Sequence, residues 1–310
     1  MSKTALFFPG QASQYVGMGK DLYDSSEEVR ALYELASEEL DADIARLSFE
    51  GPAEELKRTR FTQPAILLHS LAMLTVLGED IPDFDFACGH SLGEYGALAV
   101  TGVLTYEDAI RAVVKRATLM EEACQTNPGT MAAVLGLDED TVEQVCQKAS
   151  SKGVVIPANF NSAIQIAVSG AVPAVEEAAH LAREAGAKRA IILEVGGAFH
   201  SPLMASATEP MKNYLEELDF NTPLQPVIAN VTAEPAETPE QIRNLLVKQI
   251  TAPVKWYQTM KYLCDNDVTT IIEVGPGKVL SGLAKRDMRP EKSINLDTLA
   301  DIETLSALAG

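Results

Sequence analysis

The pentapeptide Gly89-His90-Ser91-Leu92-Gly93 constrains this chain more than any other segment. A strand candidate at residues 84–88 leads directly into it, and a helix-forming stretch of small residues, 92–100, follows. A serine between two glycines at such a junction predicts a sharp strand-to-helix turn that lifts the hydroxyl above a sheet. The glycines are needed because neighbouring backbone passes too close for a side chain. The free amides at the start of the following helix then point at any negative charge that develops on an attacked carbonyl. Ser91 is the candidate nucleophile.

The surrounding pattern supplies the sheet. Residues 4–8 read as a buried strand, followed by the loop Pro9-Gly-Gln-Ala-Ser-Gln14, and helical periodicity then runs to about Leu77. With strand 84–88 and helices 92–100 and 106–124, strands alternate with helices, which predicts an α/β fold on a mostly parallel sheet. From residue 130 the order becomes strand 131–137, helix 140–150, strands 154–160 and 165–170, helix 172–185 and strand 189–195. That is the β-α-β-β-α-β order of a ferredoxin-like unit. The earlier pattern resumes with strand 226–231, helix 240–250 and strand 269–274, which enters Gly275-Pro276-Gly277. The expected organisation is a large α/β unit from residues 1–126 and 197–310, with a small unit, 127–196, inserted into it.

A serine nucleophile needs a base, and the chain has 4 histidines. His90 adjoins the serine and leaves the turn in another direction. His69 sits in an apolar helix, as a core histidine would, and His180 lies on a solvated face. His200 follows the flexible Gly196-Gly197 and precedes Ser201-Pro202, a helix-start signature, so it is the candidate base. No acidic residue beside it offers itself as a third member, which leaves a backbone carbonyl to orient the ring. Two backbone amides are needed for the oxyanion. One is that of Leu92, and the loop Gly10-Gln11 is the candidate for the other, unless it is a plain turn. Arg116 breaks the pattern of helix 106–124, because it falls inside the apolar arc between Ala112, Leu119, Ala109 and Met120. An internal salt bridge, a side chain snorkelling to water, and a clamp for a substrate carboxylate all remain open.

Composition narrows the partners. With 44 Asp+Glu against 25 Lys+Arg the net charge is −19, unsuited to phosphate backbones or anionic membranes. The 4 cysteines are far apart with no C-x-x-C pair, which points to a reducing cytoplasm. The N-terminal apolar run is too short for a signal peptide, and the stretch 65–78 falls short of the about 20 residues of a membrane span. No metal-ligand spacing and no nucleotide-binding glycine pattern appears.

Several motifs taken together resemble one family. They are Gly10-Gln-Ala-Ser-Gln14, Phe61-Thr-Gln-Pro64, Gly89-His-Ser-Leu-Gly-Glu-Tyr95, Lys115-Arg116, Ala158-Asn-Phe-Asn-Ser162, Gly197-Ala-Phe-His-Ser-Pro-Leu-Met204 and Glu273-Val-Gly-Pro-Gly-Lys278. In that order, and over essentially the whole chain, they resemble the malonyl-CoA:acyl carrier protein transacylases of fatty acid synthesis. These are similar in turn to the acyltransferase domains of polyketide synthases.

The resemblance implies an α/β-hydrolase-like core with an inserted ferredoxin-like subdomain. It implies Ser91 as nucleophile, His200 as base, the amides of Gln11 and Leu92 as oxyanion donors, and the carbonyl of Gln249 as the group orienting the histidine. Arg116 would bind the malonyl carboxylate, Gln165 would lie near the acyl group, and Phe199 would crowd out branched acyl chains. Malonyl-CoA and acyl carrier protein are the implied partners of a monomer that needs no metal or cofactor. A serine hydrolase or thioesterase, or a polyketide acyltransferase, is the alternative. Two departures stand out: Ala163-Ile164 replaces a Pro-Gly common before the glutamine, and Gly197 replaces a histidine of the polyketide enzymes. Lys278, Lys285, Arg286 and Arg289, or Lys188-Arg189, are the candidate face for an acidic carrier.

Overall fold

The computed structural model describes residues 2–309, with side chains to residue 305. Residues 1 and 310, the outer limits of the expected large unit, lie outside the described residues. The strands are β1 (Lys3–Phe8), β2 (Phe86–Gly89), β3 (Thr130–Leu135), β4 (Val155–Ser162), β5 (Gln165–Gly170), β6 (Arg189–Ile192), β7 (Val227–Ile228), β8 (Pro235–Ala236), β9 (Val268–Val274) and β10 (Lys292–Leu296). They form a six-stranded sheet in the order β10-β9-β1-β2-β7-β8 and a four-stranded sheet in the order β4-β5-β3-β6.

The large sheet is parallel from β10 to β7, and only β8 runs antiparallel, as the return of a short hairpin from β7. β1 is buried on both faces, as a central parallel strand must be. Leu6 and Phe8 enter one core beneath the helix Thr59–Leu77, while Ala5 and Phe7 enter a second core around Trp256. Phe8 pairs in register with Gly89, so the loops leaving β1 and β2 emerge level with each other. This alignment brings the two ends of the candidate oxyanion site together.

The small sheet is antiparallel throughout. The helices Glu139–Ala149 and Val172–Glu184 pack over it around Val142, Val145, Val168 and Val175, a core separate from those of the large sheet. β4 also meets the segment before the helix Trp256–Asp265, where the Phe160 amide donates to the Val254 carbonyl at 2.9 Å.

Several elements differ from the sequence-based expectation. The strand expected at 226–231 shrinks to Val227–Ile228, and that at 189–195 ends at Ile192. β10 is a short edge strand, mostly half-exposed, whose alternation is carried by Ile294 and Leu296 alone, too short a pattern to predict a strand. The helix Trp256–Asp265 was also not predicted, although Trp256, Thr259, Met260 and Leu263 are buried at helical spacing. The apolar stretch at 65–78 belongs to the longer helical segment Thr59–Asp80, which by length and composition is able to cross a membrane. Its most apolar window is 83% buried inside the protein, so core packing accounts for it.

Candidate active site

The turn between β2 and the helix Gly93–Val100 owes its shape to two close approaches. A Cβ on Gly89 would lie 2.0 Å from the Gly93 carbonyl, and one on Gly93 would lie 2.2 Å from the Phe8 oxygen. Between them Ser91 takes φ +53°, a left-handed conformation that a non-glycine residue adopts only when its surroundings force it. Gly10 is equally cramped, because a Cβ there would meet the His90 oxygen at 2.6 Å. The β1 loop therefore presses against the serine turn. The amides of Gln11 and Leu92 have no acceptor among the described residues, and both residues line the cavity in front of Ser91. Paired amides without acceptors beside a nucleophile are what an oxyanion requires.

His200 reaches the serine from the other side. It is 3% exposed and has φ +57°, and Ser201 caps the short 3₁₀ turn Pro202–Ala207 that follows. Its Nε2 lies 2.8 Å from Ser91 Oγ and its Nδ1 lies 2.7 Å from the Gln249 carbonyl oxygen. A carbonyl only accepts, so Nδ1 carries the proton and Nε2 offers its lone pair to the serine hydroxyl. Burial pushes the imidazole down to about 3, helped by the positive charge of Arg116 and opposed by the Gln249 carbonyl. The ring is neutral at pH 7 and free to take a proton.

Arg116 is 1% exposed and donates to Gln63 Oε1, to Gln249 Oε1 at 2.9 Å and to Ser91 Oγ at 3.1 Å. Each of these partners is a neutral oxygen. The guanidinium forms no salt bridge among the described residues and is buried rather than extended to the surface, so neither an internal salt bridge nor snorkelling accounts for its sequence position. Burial lowers its pKa, while the electrostatic influence of Tyr95 and Glu94 acts the other way. Arg116 does not itself line the cavity, but two of its hydrogen-bond partners, Gln63 and Ser91, do.

Sequence reasoning assigned no role to Glu94, Asn230, Gln63 or the side chain of Gln249. Gln249 Nε2 donates to Glu94 Oε2 at 2.7 Å and to the Ser91 carbonyl at 3.0 Å, so one residue touches Arg116, His200, Glu94 and the serine. Asn230 Oδ1 accepts from the Ser91 amide at 2.7 Å, and its Nδ2 donates to the Gly89 carbonyl. Burial raises Glu94 to about 7, against the Asn230 amide, Gln249 and Arg116. A lone acid in the small-residue helix Gly93–Val100 is a visible sequence signal. Asn230 carries none, because only the meeting of β7 with β2 brings it to the turn.

The cavity measures about 250 Å³ and is lined by Gln11, Ser91, Phe199 and His200 and, from the four-stranded sheet, by Gln165. Phe199 is 6% exposed. Gln165 follows the tight β4–β5 turn at Ala163-Ile164 and accepts from Arg286 at 3.3 Å. At Gly197 a Cβ would lie 2.1 Å from Cys124 Sγ, which explains why no side chain stands there. His90 bonds to Asn161 at 2.9 Å, His69 is wholly buried, and His180 is exposed 4.0 Å from Glu184. Among the described residues no group of three or more His, Cys, Asp or Glu is placed to hold a metal ion.

Residues 6–301 match the acyl transferase domain family. The malonyl CoA-acyl carrier protein transacylase of Bacillus subtilis (strain 168) is 44% identical over 306 residues, 98% of this chain and 96% of that protein. The solved acyl-carrier-protein S-malonyltransferase of Bartonella henselae superposes with a TM-score of 0.94 at 39% identity, covering 100% of both chains. A malonyl-transacylase solved in complex with its type II polyketide acyl-carrier protein gives a TM-score of 0.93 at 37% identity, over 98% of this chain and 99% of that one.

Proposed function

This chain belongs to the acyl transferase family, alongside the malonyl CoA-acyl carrier protein transacylases, and we propose that it moves malonyl from malonyl-CoA to the phosphopantetheine thiol of acyl carrier protein for fatty acid synthesis. The observation that carries this reading is the buried Arg116, a fixed cation with only neutral partners 3.1 Å from the nucleophile. A substrate bearing a free carboxylate supplies the missing counter-ion, and a guanidinium grips it with two parallel hydrogen bonds.

The reaction runs in two halves. His200 Nε2 takes the proton of Ser91 Oγ as the oxygen attacks the thioester carbonyl. The tetrahedral oxyanion accepts from the amides of Gln11 and Leu92. When the C–S bond breaks, the CoA sulfur leaves with the proton returned by His200, and malonyl remains as an ester on Ser91. The carrier's thiol then gives its proton to His200 and attacks the ester, and Ser91 recovers its proton as the malonyl thioester departs. Gln249 holds the imidazole through its carbonyl, and Gln165 and Phe199 bound the acyl pocket. No metal or cofactor is needed for these steps.

Within this reading the fold is an α/β-hydrolase-like core, residues 1–126 and 197–310, carrying a ferredoxin-like insertion at 127–196. The site is complete within one chain, in keeping with a monomer acting in the cytoplasm. The helix Val279–Asp287 puts Leu280 and Leu283 on the cavity wall; Lys285 and Arg286 on it and Lys278 just before it are exposed, and Arg286 donates to Gln165 of the lining. On a chain of net charge −19, this local basic face is where an acidic carrier docks.

Transfer and hydrolysis separate on the acceptor. Incubated with malonyl-CoA alone, the enzyme is expected to release one equivalent of CoA in a burst and then stall. Adding carrier protein bearing its phosphopantetheine restores turnover. Steady CoA release at the same rate without any thiol acceptor would make the protein a hydrolase and overturn the proposal.

A further inference from the structure

The strand order brings together three residues that are far apart in sequence. β10, β9 and β1 are parallel neighbours, so the chain leaves all three at one edge of the sheet. β1 leads to the loop carrying Gln11 and Tyr15, β9 to Gly275-Pro276-Gly277, and β10 to Asp297. The Gly275 amide donates to the Leu296 carbonyl at 3.0 Å, which locks the second turn to the third.

Asp297 gathers these segments. Its Oδ1 accepts from the Tyr15 hydroxyl at 2.8 Å and lies 3.1 Å from Nε2 of the fully buried His69, while its Oδ2 accepts from the Gly277 amide at 3.0 Å. The amides of Asp297 and Thr298 in turn donate to Asp301 Oδ2 at 3.1 and 2.8 Å, so the carboxylate stands on a fixed backbone. Burial alone would raise the Asp297 carboxyl, but His69, the Gly277 amide and Tyr15 together hold it below the usual range. It is ionised at pH 7, and hydrogen bonds to a charged acceptor are the strong kind.

The loop it grips is strained. Ala12 has φ +85°, a conformation L side chains rarely adopt, and its amide is held by Gln14 Oε1 at 2.9 Å. Gln11 immediately precedes it. A strained segment keeps its shape only where the surroundings over-determine it. We infer that Asp297 and Tyr15 form a clasp that sets the position of the Gln11 amide, and that both are positioning residues for acyl transfer. The inference rests on the reading of that amide as an oxyanion donor.

Tyr15→Phe removes one hydroxyl from a residue that is 40% exposed, so the fold loses little. Losing an oxyanion donor outright costs about 10²–10³-fold in kcat, and a displaced donor costs part of that. Tyr15→Phe is expected to lower kcat about tenfold with KM for malonyl-CoA unchanged and the melting temperature lowered by no more than a few degrees. The loss should be equal for malonyl and acetyl transfer, because both form the same oxyanion. Asp297→Ala should lose more, and the double variant should be no slower than Asp297→Ala alone, as residues acting through one contact are non-additive. Wild-type kcat in Tyr15→Phe, a loss confined to KM, or additive losses in the double variant would each overturn the clasp. Tyr15→Phe decides the matter even if Asp297→Ala does not fold. A wild-type enzyme that forms no malonyl-serine would instead remove the underlying reading of the site.

Discussion

Replacing His200 with alanine is expected to slow acylation of Ser91 by about 10²–10⁴-fold, the usual contribution of a positioned general base. The mutant keeps both oxyanion amides and Arg116, so substrate should still bind and KM should move little. The variant also has a pH signature. His200 stays unprotonated in the folded protein down to about 3, whereas in the unfolded chain it takes a proton near the ordinary histidine value of 6.5. The unfolded state thus binds more protons over that window, and stability falls as pH drops through it. Glu94 has the opposite sign: held at about 7 when folded against 4.5 for an ordinary glutamate, it loses stability as pH rises through that interval. The two oppose each other between pH 4.5 and 6.5. Denaturant melts of His200→Ala should therefore show stability declining as pH rises across this range, while the wild type stays flatter. An unchanged acylation rate would show that His200 is not the base, and an identical pH profile in the variant would show that it is not buried neutral.

Arg116→Ala should reverse the acyl preference. Malonyl differs from acetyl by one carboxylate, so selection between them depends on a group that recognises that charge. Removing one side of such a pair in a partly dry site costs about 2–5 kcal/mol. At 1.4 kcal/mol per factor of ten, malonyl transfer falls roughly 30-fold to several thousand-fold. Acetyl transfer loses only the neutral contacts of the guanidinium with Ser91 Oγ and Gln249, about tenfold at most. Rates for malonyl-CoA and acetyl-CoA measured side by side on the variant check this. Parallel loss of both, with a fall in melting temperature, would make Arg116 a core residue holding Gln63 and Gln249 in place.

The mostly parallel α/β sheet and the family were legible because their signals are local. Gly89 and Gly93 mark a turn whose backbone contacts admit no Cβ, and the strand before and helix after it follow from short-range pattern. Arg116 was visible as a charge inside an apolar helical arc, since periodicity needs only a single element. Long-range meetings left no such trace. Asn230 reaches the Ser91 amide from beyond a two-residue strand, and Gln249 joins His200 through its carbonyl and Arg116, Ser91 and Glu94 through a side chain that its own helix does not single out. β10 offers only Ile294 and Leu296 as alternating apolar residues, too few to mark a strand, and with it went the position of Asp297 beside Tyr15.

Covalent chemistry at Ser91 is the step on which everything else depends, and intact-mass measurement reads it without assumptions about rate. Mixed with malonyl-CoA in the absence of carrier, the wild-type protein should gain the mass of one malonyl group, mapped by peptide digestion to Ser91. Ser91→Ala should gain none under the same conditions. An adduct that persists in Ser91→Ala, or a wild type that transfers malonyl without ever carrying it, would contradict the acyl-serine mechanism.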